Sequence, residues 1–195
     1  MRMLGYGGIV LLYAVLISCG TSSSGGYAPE ARTGERHEFS LEFAGPFGGI
    51  GKGEIVERVE ESETINGKSY HKVVSTVSGI PGLDEQVEYQ RWATDGVYAI
   101  SGSDTTKTEY LATAYPLAIG KEWTSKKPNE STHYKVVGSE TVEAANETFK
   151  DCLKIEYQGD KSKGTQYLAP NLGLVKEVAT ASGVPMTIVL TKYKK

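Results

Sequence analysis

Residues 149–158 read FKDCLKIEYQ, and apolar and polar side chains alternate along this stretch. One set of alternate positions is apolar: Phe149, Leu153, Ile155 and Tyr157. Between them lies a polar set: Lys150, Lys154, Glu156 and Gln158. Because successive side chains of a β-strand point to opposite faces, this period of two predicts a strand with one buried face and one solvated face.

The same alternation recurs over most of the chain from residue 38 onward, as in residues 184–191. Asn66-Gly67 and Asp95-Gly96 are typical of tight hairpin turns, and a further turn is predicted at Ser162-Lys163-Gly164. The spacing predicts about eleven or twelve strands in an all-β fold, a curved antiparallel sheet forming a sandwich or an incomplete barrel. Helical signals are limited to residues 111–117 and 142–147, each enough for one turn.

The N-terminal residues have the pattern of an export signal. Arg2 is the one charged residue before an apolar run at residues 9–17, and that run is too short to span a bilayer. It ends in Leu16-Ile17-Ser18-Cys19, which resembles the lipobox of bacterial lipoprotein precursors. The resemblance implies cleavage before Cys19, attachment of diacylglycerol to its sulfur and acylation of its new amine. An ordinary secretory signal with an incidental cysteine is the alternative.

This resemblance predicts three regions: a signal peptide at 1–18, a lipidated cysteine with a flexible tether at 19–35, and a single β domain at 36–195. Several acyl chains on Cys19 make a stable membrane anchor, whereas one chain binds reversibly. Gly20 stands where an Asp typically retains lipoproteins at the inner membrane. We therefore expect a lipid-anchored protein of the cell envelope, facing the periplasm from the outer membrane in a host with two membranes.

Composition narrows the range of partners. The chain has 195 residues, with 21 Lys and Arg against 24 Asp and Glu, and a formal net charge of −3. Nucleic-acid binding is not expected, because phosphate neutralisation requires clustered cationic charge. Removal of residues 1–18 takes away Arg2 and no acid, which makes the mature chain more negative.

Motifs for catalysis or cofactors are weak. Residues 45–53 are glycine-rich but lack the spacing of a phosphate-binding loop. The sequence has three histidines: His37, His71 and His133. They are not spaced from one another as metal ligands are. Each histidine is expected on the surface of a strand. Cys152 is expected to act as a small apolar residue. No catalytic residue, metal site or cofactor is predicted, and the chain is not expected to be an enzyme.

Acidic residues cluster in one segment, which has Arg58 as its single basic residue. They are Glu54, Glu57, Glu60, Glu61 and Glu63. Their spacing does not fit a calcium loop, so this segment is expected to form a solvated edge strand protected by its charge.

The C-terminal half resembles a family of exported bacterial β proteins. Tyr115-Pro116-Leu117-Ala118-Ile119-Gly120-Lys121-Glu122-Trp123 matches a Pro-Leu-x-x-Gly-x-x-Trp segment of TapB-like proteins. Tyr167-Leu168-Ala169-Pro170-Asn171-Leu172-Gly173-Leu174-Val175-Lys176 follows in the same order, with Asn171 and Leu172 where Gly and Val are usual. The resemblance covers roughly residues 37–195. It implies a curved antiparallel sheet of lipoprotein-carrier-like shape and supplies no catalytic residues.

Two functional hypotheses follow from the sequence. In the first, the protein is a non-catalytic binding or scaffold module that presents its sheet to an envelope protein. In the second, the sheet forms a half-barrel cavity that carries a lipid or another apolar ligand. Trp92, Trp123, Phe149 and Tyr157 are the candidate ligand-facing residues.

Overall fold

The computed structural model describes residues 31–45, 49–80, 85–128 and 130–194. These ranges form twelve strands and contain no helix. In chain order the strands are β1 (Arg36–Ala44), β2 (Ile50–Ile65), β3 (Lys68–Ser78), β4 (Glu85–Ala93), β5 (Gly96–Ser101), β6 (Tyr110–Ala114), β7 (Glu122–Lys127), β8 (Glu130–Ala144), β9 (Glu147–Gly159), β10 (Ser162–Ala169), β11 (Gly173–Ala181) and β12 (Val184–Lys194). Across the same ranges, no helix is long and apolar enough to cross a membrane.

All twelve strands belong to one antiparallel sheet that curls into a nearly closed barrel. Each strand pairs with its neighbours in sequence except at two places. β1 pairs with β12, which joins the two ends of the strand sequence, while β6 and β7 form the two edges of the sheet and lie side by side as a seam. The prediction of an all-β antiparallel sheet is confirmed, and the incomplete barrel is the correct one of its two forms.

The seam is bridged by a side chain rather than by a strand ladder. Trp123 on β7 is buried, and its indole Nε1 donates a hydrogen bond to the backbone oxygen of Ala112 on β6 at 3.0 Å. A buried indole N–H needs an acceptor, and the unpaired edge of β6 supplies one. Trp123 therefore fills the gap where the barrel does not close.

Most of the predicted turns are confirmed. Asn66 and Gly67 adopt left-handed φ values of 51° and 76° between β2 and β3, as a two-residue hairpin turn requires. The turn predicted at residues 162–164 is wrong, since Ser162 already pairs with Ala181 in the β10–β11 ladder. The helical turn considered at 142–147 is also wrong. That segment ends β8, turns at left-handed Asn146, and begins β9.

The barrel interior holds the apolar core, and the alternation in residues 149–158 accounts for much of it. Leu153, Ile155 and Tyr157 all face this core and are buried. Strict alternation would place Cys152 on the face opposite Leu153 and Ile155, but it is also buried in the core. Asp151 has a φ of 55°, and this left-handed residue shifts the alternation so that two successive side chains turn inward.

Residues 31–35, the described part of the predicted tether, pack against the barrel. Ala31 is buried against Val59, Val73 and the half-buried Trp92. The backbone N–H of Val59 donates to the carbonyl of Glu35 at 3.0 Å. Residues 1–30, with the predicted signal peptide and Cys19, lie outside the described residues, so cleavage and lipidation stay predictions.

Candidate functional site

Three carboxylates lie inside the barrel. Glu57 on β2, Glu88 on β4 and Glu177 on β11 are each at most 3% exposed. Glu57 belongs to the acidic segment that was expected to be a solvated edge strand, and that expectation is wrong. β2 is paired on both sides, with β1 and β3, and the alternation that turns Ile55 inward also turns Glu57 inward.

Polar side chains of the barrel interior donate hydrogen bonds to the carboxylates of Glu88 and Glu177. The Tyr157 hydroxyl donates to Glu177 Oε1 at 2.7 Å, and Gln166 Nε2 donates to Glu177 Oε2 at 3.1 Å. On the other wall, the Tyr110 hydroxyl donates to Glu88, as does Gln90 Nε2 at 2.7 Å. Hydrogen bonds offset part of the cost of burying these groups.

Glu57 has fewer partners. Ser75 Oγ donates to its Oε1 at 3.3 Å, and its buried Oε2 has no partner among the described residues. Burial raises the pKa of Glu57 to about 8, with Ser75 acting in the opposite direction and the charges of Glu88 and Glu177 adding to the rise. Burial also raises the pKa of Glu177 to about 7, against the lowering effect of its hydrogen bonds. The interior therefore favours the protonated form of Glu57 at neutral pH and, to a smaller extent, that of Glu177.

The histidines do not converge. His37 is buried, with its ring centroid 6.5 Å from that of Tyr193. Its predicted surface position is therefore wrong. His71 is half-buried and His133 is exposed, as expected for strand surfaces. Among the described residues, no group of three or more His, Cys, Asp or Glu side chains is arranged to hold a metal ion.

The four candidate ligand-facing aromatic residues lie in three different places in the structure. Trp123 and Tyr157 are buried in the core and are joined through Tyr134, which stacks on Trp123 at a centroid distance of 4.9 Å. Trp92 lies at the N-terminal segment, and Phe149 packs against Tyr193. The structure does not gather these side chains into one surface, and their contact with a ligand stays a prediction.

Cys152 carries no sign of an activated thiol. It is buried, and its Sγ donates to the backbone oxygen of Phe149 at 3.4 Å. Burial raises the pKa of this thiol to about 11. Since the thiolate is the nucleophilic form, Cys152 is unreactive in the folded protein at neutral pH.

The outer face of the barrel carries a groove of about 900 Å³. Its lining includes one row of outward side chains paired strand to strand: Glu42, Thr187, Val178, Thr165, Glu156, Lys135 and Glu122. A second row lies beside it: Pro185, Thr180, Lys163, Gln158 and His133. These rows cross seven strands, from β1 through β12 to β7, and the start of β2 adds an eighth strand to the lining.

Exposed apolar side chains lie in this groove. Ile50, at the start of β2, is 72% exposed and Val178 is 43% exposed. Below them Gly164 takes part in the lining. A Cβ atom at Gly164 would lie 2.7 Å from the Tyr157 hydroxyl oxygen, so this glycine lets the tyrosine ring pack under the groove.

Some charged side chains at the groove form ion pairs and others do not. Glu122 is paired with Lys135 at 2.7 Å and with His133 at 3.6 Å, and the Lys135 ammonium holds the pKa of Glu122 below its usual value. In the described part of the chain, by contrast, Glu156 and Lys163 form no ion pair. They leave one acceptor and one donor of opposite charge facing solvent.

Solved structures of two bacterial proteins share this fold. A presumed exported protein with a YmcC-like fold from Bacteroides fragilis superposes with a TM-score of 0.56 at 16% identity, over 94% of this chain and 100% of that protein. A presumed lipoprotein from Parabacteroides distasonis gives a TM-score of 0.50 at 15% identity, over 84% and 96%. No protein-family model and no curated protein matches the sequence. At these identities the likeness concerns the fold alone.

Sequence reasoning missed both the interior carboxylates and the outer groove. Glu57 has a local signal, because it lies two positions from Ile55 and from Val59 and therefore on their face of the strand. The groove has no such signal. Its members come from eight strands, and their juxtaposition depends on the register between strands, which no local pattern specifies.

Proposed function

We propose that this protein is a non-catalytic, lipid-anchored binding module of the cell envelope, and that the outer groove is its binding surface. The observation that carries the proposal is the exposure of Val178 and Ile50 in a groove of about 900 Å³. A concave surface lined by exposed apolar side chains is typical of a binding site. The chain would act by holding a partner at the membrane, without chemistry of its own.

The filled interior favours this proposal over the carrier hypothesis. A lipid inside the barrel would have to displace Trp123 from the seam and separate Tyr157 from Glu177. It would also meet buried carboxylates, which an acyl chain cannot hydrogen-bond. Native mass spectrometry of the form lacking residues 1–19 tests this point, because a bound lipid mass in the folded protein would favour the carrier.

Photo-crosslinking in intact cells tests the groove directly. A benzoylphenylalanine at position 178 is expected to give discrete crosslinked products. The matched control is position 141, since Thr141 is an exposed strand residue outside the groove and similar in size to Val178. Equal product patterns from both positions, or none from position 178, would contradict the proposal.

The lipid anchor belongs to the same proposal and rests on the lipobox that ends at Cys19. Cells grown with an alkynyl fatty acid are expected to label the wild-type protein and the Cys152→Ser variant. Cys19→Ser is expected to lose the label and to leave the membrane fraction. With Gly20 next to the anchor, the protein is proposed to reach the outer membrane and face the periplasm in a host with two membranes. The motif order from Tyr115 to Lys176 supports kinship with TapB-like exported proteins.

A further inference from the structure

We infer that the occupant of the groove is an extended polypeptide segment of another envelope protein, with an apolar side chain between charged ones. This inference rests on the proposed function and names the chemistry of its partner. Three features support it: threonine hydroxyls that make no side-chain hydrogen bond to another described residue, an exposed apolar centre, and an acid and a base that form no ion pair with each other or with another described side chain.

The floor presents threonine hydroxyl groups. Thr165 on β10, Thr187 on β12 and Thr180 on β11 are half-buried, and none makes a side-chain hydrogen bond to another described residue. An acyl chain on this floor would take water away from the hydroxyls and offer them no hydrogen bond in return, which is unfavourable. A polypeptide backbone carries an N–H or C=O at every residue and satisfies them.

The centre of the groove is apolar. Val178 lies between Thr165 and Thr187 in the outward row, so the threonine side chains flank it on both sides. Pro185 lies in the next outward row, on the strand beside it. This arrangement suits one apolar side chain seated over Val178, with its backbone hydrogen-bonded to the flanking hydroxyls.

The charged side chains of the groove determine which residues of the partner would flank its apolar residue. Glu156 is directly opposite Thr165, and Lys163 is two positions before Thr165 on the same strand. Both therefore adjoin the apolar centre on the side towards β9. A basic side chain of the partner would pair with Glu156 and an acidic one with Lys163.

The experiment uses the full-length protein in phospholipid nanodiscs and two probes. One probe is a random-peptide phage library, and the other is a photoactivatable fatty acid whose attachment sites are mapped by mass spectrometry. Each is applied to the wild type, to Val178→Asp and to Thr141→Asp. Both substitutions place a carboxylate on an exposed strand position, which leaves the barrel core untouched.

We expect selected peptides with an apolar residue flanked by charges, whose binding weakens about tenfold or more in Val178→Asp and is unchanged in Thr141→Asp. Fatty-acid labelling of the groove that Val178→Asp abolishes, with no peptide selected, would overturn the inference while leaving a binding groove in place. If neither probe responds to Val178→Asp, the inference and the proposed function both fail.

Discussion

Replacing Glu57 by Gln is expected to make the stability of the protein less dependent on pH. Glu57 is buried inside the barrel, and burial raises its pKa from 4.5 to about 8. In the unfolded chain this carboxyl group ionises near pH 4.5. Between the two values, the folded state retains a proton that the unfolded state has lost.

The sign and size of the effect follow from this difference. Because the folded state binds more protons, the free energy of unfolding falls as pH rises, and the stability held below pH 4.5 is lost by about pH 8. Each pH unit in this window is worth about 1.4 kcal/mol, so Glu57 removes about 4 kcal/mol between about pH 5 and about pH 8. The amide introduced by Glu57→Gln does not ionise, so the substitution removes this part of the dependence of the free energy of unfolding on pH.

Urea unfolding at a series of pH values between about pH 5 and about pH 9 measures the effect. Glu57→Gln has its own constant cost, since a buried amide replaces the carboxyl group, so the slopes against pH are compared rather than the absolute stabilities. Glu177, whose pKa is raised to about 7, leaves a smaller slope in the variant. Glu54→Gln, an exposed position of β2, is the control and should follow the wild type. Parallel curves for wild type and Glu57→Gln would refute the argument.

Three other perturbations test the packing. Trp123→Phe removes the hydrogen bond to Ala112 across the seam and should lower the free energy of unfolding by about 1–3 kcal/mol; an unchanged urea midpoint would show that the indole N–H does not hold the seam. Gly164→Ala places a Cβ 2.4 Å from the backbone oxygen of Val178 and 2.7 Å from the Tyr157 hydroxyl oxygen, and should cost about 1–3 kcal/mol in the same assay; a stability equal to wild type would mean that the β11 backbone and the tyrosine both move without strain. Cys152, whose pKa is raised to about 11, should resist iodoacetamide at neutral pH and react after unfolding; rapid alkylation of the folded protein would contradict its burial.

The fold class was predictable because local signals repeat along the chain. Alternation in residues 149–158 predicted β9, and Asn66-Gly67 predicted the β2–β3 turn. The prediction was wrong where a single residue changes the period. Left-handed Asp151 turns both Cys152 and Leu153 inward, and no rule of alternation anticipates a non-glycine residue in that conformation.

The site was less predictable than the fold. Charge alone suggested a solvated strand for Glu57, because ionisable residues are seldom fully buried. Its strand position indicated the interior, and position prevailed because the barrel brings Ser75 to one of its oxygens. The groove depends on pairings such as Thr165 with Val178, which exist only once the register between strands is set.

The pairing of β1 with β12 has a consequence for when this protein acquires its structure. Every other neighbouring pair in the sheet is a hairpin that can form as soon as its two strands are available. The contact of Arg36 with Lys194 joins the first strand to the last and must close the longest loop in the molecule, which makes it entropically the most costly. The hairpins can therefore form in any order, but the ring cannot be completed until the last strand is available. In the exported precursor that the lipobox predicts, the pairing of β1 with β12 would be the last contact of the sheet to form.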